Sequence, residues 1–554
     1  MARRSTPKVR FESLAFRVEA RREQAVVVAR RVVRRAFPGQ RWRVVPLDAG
    51  KGEFEALPRR GRRLTPAAGW TSAYRLRDQP EIVYAEPLFA VPAVEQHVAP
   101  PRSRASSSAG GEDDPRTEAD CEWSLEKMFV PAAWDLFRTA RPGSGVRVGH
   151  PDTGYTHHPE IFGSRLLTGL GTDFEDDDGN ATDTLVDGLL ANPGHGTGTS
   201  SVIMSGVGAP DGSTTGAFVS GVAPFASLVP IRTTSSVVLW SMRNLVRAIR
   251  HAIDNGCHVI SISLGGPAAS QALHSAVQDA EDSGVIVLCA AGNQVHFVVF
   301  PAAFDEVIAV AASTIGDETW SGSCRGPAVD ITAPGASVWR AEVVKSSGSI
   351  QHIVKRGSGT SFAVAGTAGL AALWLSFHGR STLIAKYGKN RLASVFKQLL
   401  QSTCRTPSGW DTASFGAGIA HARRLLEAPL PSFPRAGGLR ATARRMVSVD
   451  DDVFERIVHL LAPATRSGVA RALAEFLRVS EADLPAVLHD VGDELAFNIG
   501  TDPALRERLI VASGVRAAAP RGVRARSARP DLSIARRRLS GHGSARLRKA
   551  LAGG

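Results

Sequence analysis

Hydrophobic positions along this chain follow two different periods, and the places where one gives way to the other divide the molecule. Between about residues 119 and 428, short apolar runs alternate with stretches of helical period. VISISLGG (Val259 to Gly266) and VIVLCAAGN (Val285 to Asn293) are apolar enough to predict strands buried on both faces. LVRAIRHAIDNG (Leu245 to Gly256) places Leu245, Ile249, Ala252 and Ile253 on one helical face and stops at Asn-Gly, which suits a helix C-cap. Strands and helices in alternation build βαβ units, so the expected class is α/β with a mostly parallel sheet. The most apolar helix, Phe362 to Phe377, reads as a buried central helix, too short and too rich in Gly and Ala to cross a bilayer.

The flanks have other patterns. Residues 1–95 combine a helical run, EQAVVVARRVVRRAF, with strand-like RWRVVPL and EIVYAEPLFAV, which predicts a small α+β domain. Residues 96–118 are rich in Ser, Pro, Gly and charge and are expected to be a flexible linker, open to proteolytic nicking. From 429 to 515, DDVFERIVHLLAP, SGVARALAEFLRV, ADLPAVLHDVGDELAF and PALRERLIVAS are short, amphipathic and separated by Pro, Ser or Asp, the pattern of a small helical domain.

Charge changes this picture at one end. The net charge of +13 is concentrated after Arg516, where Asp531 is the only acid. Residues 516–554 are therefore expected to form a basic, disordered tail that contacts polyanions weakly; no aromatic residue lies within it for base stacking. The five cysteines, Cys121, Cys257, Cys289, Cys324 and Cys404, show no CxxC or Cys/His ligand spacing, which predicts free thiols. The basic N-terminus lacks the apolar stretch of a secretory signal. A cytoplasmic location is expected, with nonclassical export left open and no transmembrane segment.

Candidate chemistry lies in three separated strings: Asp152 in HPDTGY, His195 in GHGTGTS and Ser361 in GSGTSFA. Each stands beside glycines or small residues that let the backbone turn sharply next to a functional side chain. An acid, a histidine and a serine make up the nucleophilic triad, and the order Asp, His, Ser belongs to one of its several unrelated folds. With these strings the chain resembles the subtilisin-like serine peptidases, the subtilases. GVAPFASLVPIR (Gly221 to Arg232), ISISLGG (Ile260 to Gly266), LCAAGN (Leu288 to Asn293), FPAAFDEVIAVAAS (Phe300 to Ser313) and VDITAPG (Val329 to Gly335) follow in family order. EWSLEKMFVPAAWDLF (Glu122 to Phe137) resembles the lead-in of the catalytic domain. Two departures stand out: His150 and Pro151 precede Asp152 where apolar residues are usual, and Gly198 replaces the second His of the common HGTH string. Proline has no amide hydrogen, so that strand end is expected to lose a ladder bond.

The resemblance implies a subtilisin-like three-layer peptidase domain over residues 119–428. It implies a serine endopeptidase working through an acyl-enzyme, with Ser361 as nucleophile, His195 as base and Asp152 orienting the imidazole. Asn293 matches the family's oxyanion position, and Ser263, Leu264 and Gly265 match the segment that pairs with extended protein or peptide substrates. No acidic pocket floor is evident, which points to apolar or broad preference. YAEPLF (Tyr84 to Phe89) resembles the end of a subtilase propeptide, so the N-terminal domain is expected to make the protein a zymogen; an accessory domain that is never removed is the alternative. No cofactor is expected for the chemistry. The acidic loop Asp173 to Asp183 invites structural calcium, although its spacing is not that of an EF-hand and such acidic insertions are usually just solvated. A peptidase fold kept only as a binding module is the rival reading, opposed by the complete triad and Asn293.

Overall fold

The computed structural model of the chain describes residues 10–58, 65–90, 114–161, 163–187, 191–206, 219–239, 241–295, 297–346, 349–432, 449–515 and 531–553. At the N-terminus, strands β1 (Arg10–Val18), β2 (Trp42–Asp48), β3 (Glu53–Pro58) and β4 (Ile82–Ala90) form an antiparallel sheet in the order β2-β3-β1-β4. Two helices, Ala25–Ala36 and Pro66–Arg77, cover one face. The two-residue period of a strand explains what each face carries. Phe16, Phe54 and Ala56 point into a core with Val32, Phe37, Trp70 and Tyr74, while Glu53 and Glu55 point the other way and are buried all the same.

The catalytic region supplies what buries them. Its seven-stranded parallel sheet runs β11-β10-β9-β8-β5-β7-β6, from β5 (Arg147–Asp152), β6 (Thr172–Asp173), β7 (Ser227–Arg232), β8 (Val259–Ile262), β9 (Ile286–Ala290), β10 (Ile308–Ser313) and β11 (Ile331–Pro334). Both sheet faces are apolar, as expected for strands sandwiched between helices. Ile286 and Leu288 of β9 join the core that contains the helix Thr360–His378. Val287 and Cys289 join the opposite core with the helices Arg243–Asp254 and Gln271–Asp282. By length and composition the Thr360–His378 helix could cross a membrane, contrary to its expected shortness, but 89% of its apolar window is buried inside the protein. It is the central helix of the domain. A long hairpin, β12 (Val338–Ser346) with β13 (Ser349–Gly357), packs beside the helix His195–Met204.

Two expectations about boundaries need correction. Residues 96–113 of the expected linker lie outside the described residues, but its last part is built into the catalytic region. Pro115–Ala119 is helical, with the Asp114 side chain accepting from the Arg116 amide, and buried Thr117 accepts a hydrogen bond from Trp339 Nε1 at its carbonyl (2.6 Å). The tail from 516 to 554 was expected to be disordered. Residues 516–530 lie outside the described residues, whereas Leu532–His542 and Ala545–Ala552 are helices. Their leucines 532, 539, 547 and 551 are buried in the same core as the other C-terminal helices, Val449–Leu460, Arg466–Leu477, Leu484–Thr501 and Pro503–Ala512. Dense positive charge masked a helical stripe: Leu547 and Leu551 stand four residues apart on one face while the arginines point outward or pair. Arg536 donates to the carbonyls of Glu475 and Phe476, and Arg546 meets Asp78 and Asp490, so part of this charge is engaged within the fold.

All five cysteines are free thiols. Burial pushes the Cys257 and Cys324 thiols up to about 12, which suits small apolar packing groups rather than reactive ones.

Candidate active site

Asp152 is the last residue of β5, next to the centre of the sheet and at the strand end where parallel sheets bind ligands. It is fully buried. The preceding proline leaves its mark: β5 pairs with β7 along its whole length, but pairing with β8 stops at Gly149. Asp152 Oδ1 accepts from the Thr153 amide and faces His195 Nδ1, both at 2.7 Å. Burial alone would raise the Asp152 carboxyl, but the adjacent His195 imidazole and these hydrogen bonds hold it below the usual carboxylate range.

His195 opens the helix His195–Met204, preceded by Gly194 in the left-handed region (φ 75°). A second carboxylate fixes this corner. Asp183 Oδ2 accepts from Thr153 Oγ1 at 2.7 Å and from the Gly194 amide at 2.8 Å, while its Oδ1 accepts from the Leu185 amide at 2.8 Å. Asp183 thus ties the residue after Asp152 to the residue before His195. Gly196 is needed because a Cβ there would lie 2.1 Å from the Gly154 carbonyl oxygen.

His150 has a specific setting behind the pair. Burial pushes its pKa down, so the ring is neutral. It reaches Thr199 Oγ1 with Nε2 (3.0 Å) and Ser200 Oγ with Nδ1 (3.4 Å). Thr199 Oγ1 also lies 3.3 Å from Asp152 Oδ2, so the histidine supports the carboxylate through one hydroxyl. The other departure is steric. A Cβ on Gly198 would come within 2.9 Å of Arg340 Cδ and 3.0 Å of the Ala341 carbonyl oxygen, because β12 crosses there.

Ser361 stands in the first turn of the Thr360–His378 helix, where backbone amides have no intrahelical partner. The following residue, Phe362, has its ring 6.4 Å from the His195 ring. The Ser361 hydroxyl makes no hydrogen bond to His195 among the described residues. Asn293 follows β9, and its Oδ1 accepts from the Thr360 amide (3.0 Å) and Thr360 Oγ1 (2.9 Å). This fixes the amide's orientation and leaves Nδ2 on the other side. Nδ2 and the Ser361 backbone nitrogen lie 3.6 and 3.7 Å from a single point, the position a Cβ on Gly359 would take. Both nitrogens therefore border a space kept open by a glycine.

Ser263, Leu264 and Gly265 follow β8 beside this centre. Ser263 Oγ donates to the Ser361 carbonyl at 3.2 Å, and Leu264 is buried. The expected substrate edge differs at Gly265. Its amide donates to the Val237 carbonyl (3.1 Å) and its carbonyl accepts from the Leu239 amide (2.8 Å).

The acidic loop is partly engaged by arginine. Arg232 pairs with both Asp173 and Asp176, and Arg247 pairs with Asp177 at 2.7 Å. Three of the loop's carboxylates are thus neutralised by arginine within the fold. Asp183, the functional member of that loop, was hidden in the sequence among neighbouring acids of the same type. Thr153, Thr199 and Thr360 were equally silent, since a threonine gives no local sign of a catalytic neighbour.

A buried carboxylate bonded to an imidazole at the end of a parallel sheet, with a serine on a nearby helix N-terminus, is the arrangement of a serine hydrolase on an α/β fold. Comparison with known proteins narrows this further. The model of the subtilase family, Peptidase_S8, matches residues 143–418. Thermitase from Thermoactinomyces vulgaris is 32% identical over 293 residues, 52% of this chain and 91% of that protein. Subtilisin DY from Bacillus licheniformis is 35% identical over 266 residues, 46% of this chain and 85% of that protein. A solved protease from Pseudoalteromonas arctica PAMC 21717 is similar at 23% identity and a TM-score of 0.46, covering 57% of this chain and 99% of that one. The chain belongs to the subtilase family.

Proposed function

We propose that Ser361, His195 and Asp152 cleave peptide bonds through an acyl-enzyme, and that the N-terminal domain holds the enzyme in zymogen form. The observation that carries the first part is the 2.7 Å bond between Asp152 and His195 Nδ1. It fixes the tautomer that leaves Nε2 unprotonated and able to take the proton of Ser361 as its oxygen attacks the substrate carbonyl. The imidazolium then returns that proton to the leaving amine, and water repeats the cycle on the acyl-enzyme. Asp152 stabilises the cation without accepting the proton. The oxyanion forms against Asn293 Nδ2 and the Ser361 amide, donors held in place before reaction.

The second part rests on where the N-terminal sheet docks. Glu55 pairs with Arg243 at 2.5 Å, Glu53 with Arg250 and Lys51 with Asp279. Glu86 accepts from the amides of Gln271 and Ala272, both at 2.9 Å, at the start of the helix that follows the Ser263–Gly265 segment. The free amides at the helix N-terminus give the Glu86 side chain partners, although burial outweighs them for its ionised form. β4 then ends at Ala90, directing the chain onward from this docked face. The test is a fluorophosphonate probe applied before and after cleavage within residues 97–113. Labelling is expected to rise on cleavage and release and to vanish in Ser361→Ala. Absence of labelling in the released wild-type enzyme, while a control peptidase labels, overturns the catalytic reading.

A further inference from the structure

The C-terminal helices lie against two partners at once. On the catalytic side, His459 meets the Val298 carbonyl with Nε2 (2.6 Å) and sits edge-on to Phe297 and Phe300. Arg506 lies over the Phe297 ring at 5.1 Å. A Cβ on Gly500 would be 2.7 Å from the Pro267 carbonyl oxygen, so the helix Leu484–Thr501 approaches as closely as a backbone can. These contacts root the C-terminal domain on the loops that follow Gly265 and Asn293.

The same helix turns another face to the N-terminal domain. Phe497 packs against Phe89 with tilted rings, centroids 4.5 Å apart, and meets the edge of Trp70 at 6.1 Å. One turn earlier, Asp493 joins Arg77 of the N-terminal domain (2.5 Å) to Arg456 of its own domain (2.6 Å). Glu494 accepts from Tyr74 Oη at 3.1 Å and from Ser544. Arg546 pairs with Asp78 and lies over the Tyr74 ring at 4.9 Å. Spacing of four residues puts Asp493 and Phe497 on one helical face, and the charge signs are complementary. Aromatic anchors with buried arginine pairs are what specific interfaces use for most of their affinity.

From this arrangement we infer that the C-terminal helical domain is a second binding site for the N-terminal domain, a clasp that keeps that domain seated after the linker is cut. The inference rests on the reading of the N-terminal domain as an inhibitor. It follows that a single cut in the linker does not activate the enzyme promptly. Two surfaces hold the fragment, one on the helices Arg243–Asp254 and Gln271–Asp282 and one on the helix Leu484–Thr501. With both engaged, dissociation needs both to open together, so losing either mainly raises the off-rate.

The experiment uses the full chain with a site for a specific processing protease placed in residues 97–113, on a Ser361→Ala background for binding and on active enzyme for hydrolysis. After cutting, the N-terminal fragment is expected to co-elute with the remainder on gel filtration. Phe497→Ala and, separately, Arg546→Ala, which lies at the surface and leaves the helical core intact, are expected to speed fragment loss by at least about tenfold. Arg77→Gln, made on the opposite side of the contact, should do the same. Immediate loss of the fragment from the parent, or equal off-rates in parent, Arg546→Ala and Arg77→Gln, overturns the clasp. Activity separates the two readings: a fragment that stays bound to an enzyme hydrolysing a fluorogenic peptide at full rate refutes inhibition while the clasp stands. A fragment that leaves at once, with activity rising in step, refutes the clasp and leaves inhibition intact.

Discussion

Raising the pH should loosen the N-terminal domain from the enzyme through one residue, Glu86. Its carboxyl is buried between the two domains, and burial pushes it from an ordinary 4.5 to about 7, against the opposing pull of the Ala272 and Gln271 amides. Asp493 adds to the rise and Arg77 opposes it. A released domain exposes Glu86 to water, where it returns to its ordinary range. A group raised on binding favours the complex fully below the free value and loses that contribution as pH climbs through the bound value. Between pH 5.5 and pH 8 this one carboxyl weakens binding by about 30-fold, or about 2 kcal/mol. The assay is the dissociation constant of the nicked Ser361→Ala protein across that range, from dilution followed by gel filtration. Burial raises Glu12 as well, so the comparison with Glu86→Gln isolates the effect. Glutamine cannot titrate, and it keeps an acceptor for one of the two amides, which bond to different oxygens of Glu86, so the comparison is of the pH slope and not of the absolute affinity. An equal slope in Glu86→Gln, or a flat profile in the parent, would refute the reasoning.

Three further outcomes follow from the site. Asn293→Ala should lower kcat about 100- to 1000-fold with KM little changed, because only the transition state carries the oxyanion; an equal effect on KM would point to substrate binding instead. Gly359→Ala places a methyl 3.6 Å from Asn293 Nδ2 and 3.7 Å from the Ser361 nitrogen. It should cut kcat at least about tenfold while leaving Tm within about 2 °C, since both contacts are ordinary packing distances; unchanged kcat removes that space from the oxyanion site. Asp183→Ala strands the Thr153 hydroxyl and the Gly194 and Leu185 amides in a buried corner, with an expected stability loss of about 3 kcal/mol by urea unfolding. Asp183→Asn should recover part of it, and a loss under about 1 kcal/mol would deny Asp183 its role at the corner.

The sequence by itself determined the α/β fold and singled out the candidate residues of its site. Buried parallel strands need unbroken apolar runs, and a strand or helix end beside a catalytic side chain needs glycine or another small residue. Both leave local marks, so Asp152, His195, Asn293 and Ser361 could be read from short strings. The helices after Leu532 left a mark too, but the arginines between their leucines obscured it. What only the tertiary structure decided depends on partners far apart in the chain. Asp183 differs from its neighbouring acids only because Thr153 and Gly194 are brought to it, whereas Asp173 and Asp176 are brought to Arg232. Gly265 reads as a free substrate edge until Val237 and Leu239 are found paired with it. Arg77 and Asp493 are 416 residues apart, and no period in either segment encodes their meeting. Glu53 and Glu55 alternate along β3 like the polar face of any surface strand. That their face is buried against two arginines is a property of the docked domains, because charge on an edge or face becomes a contact only when packing removes the water around it.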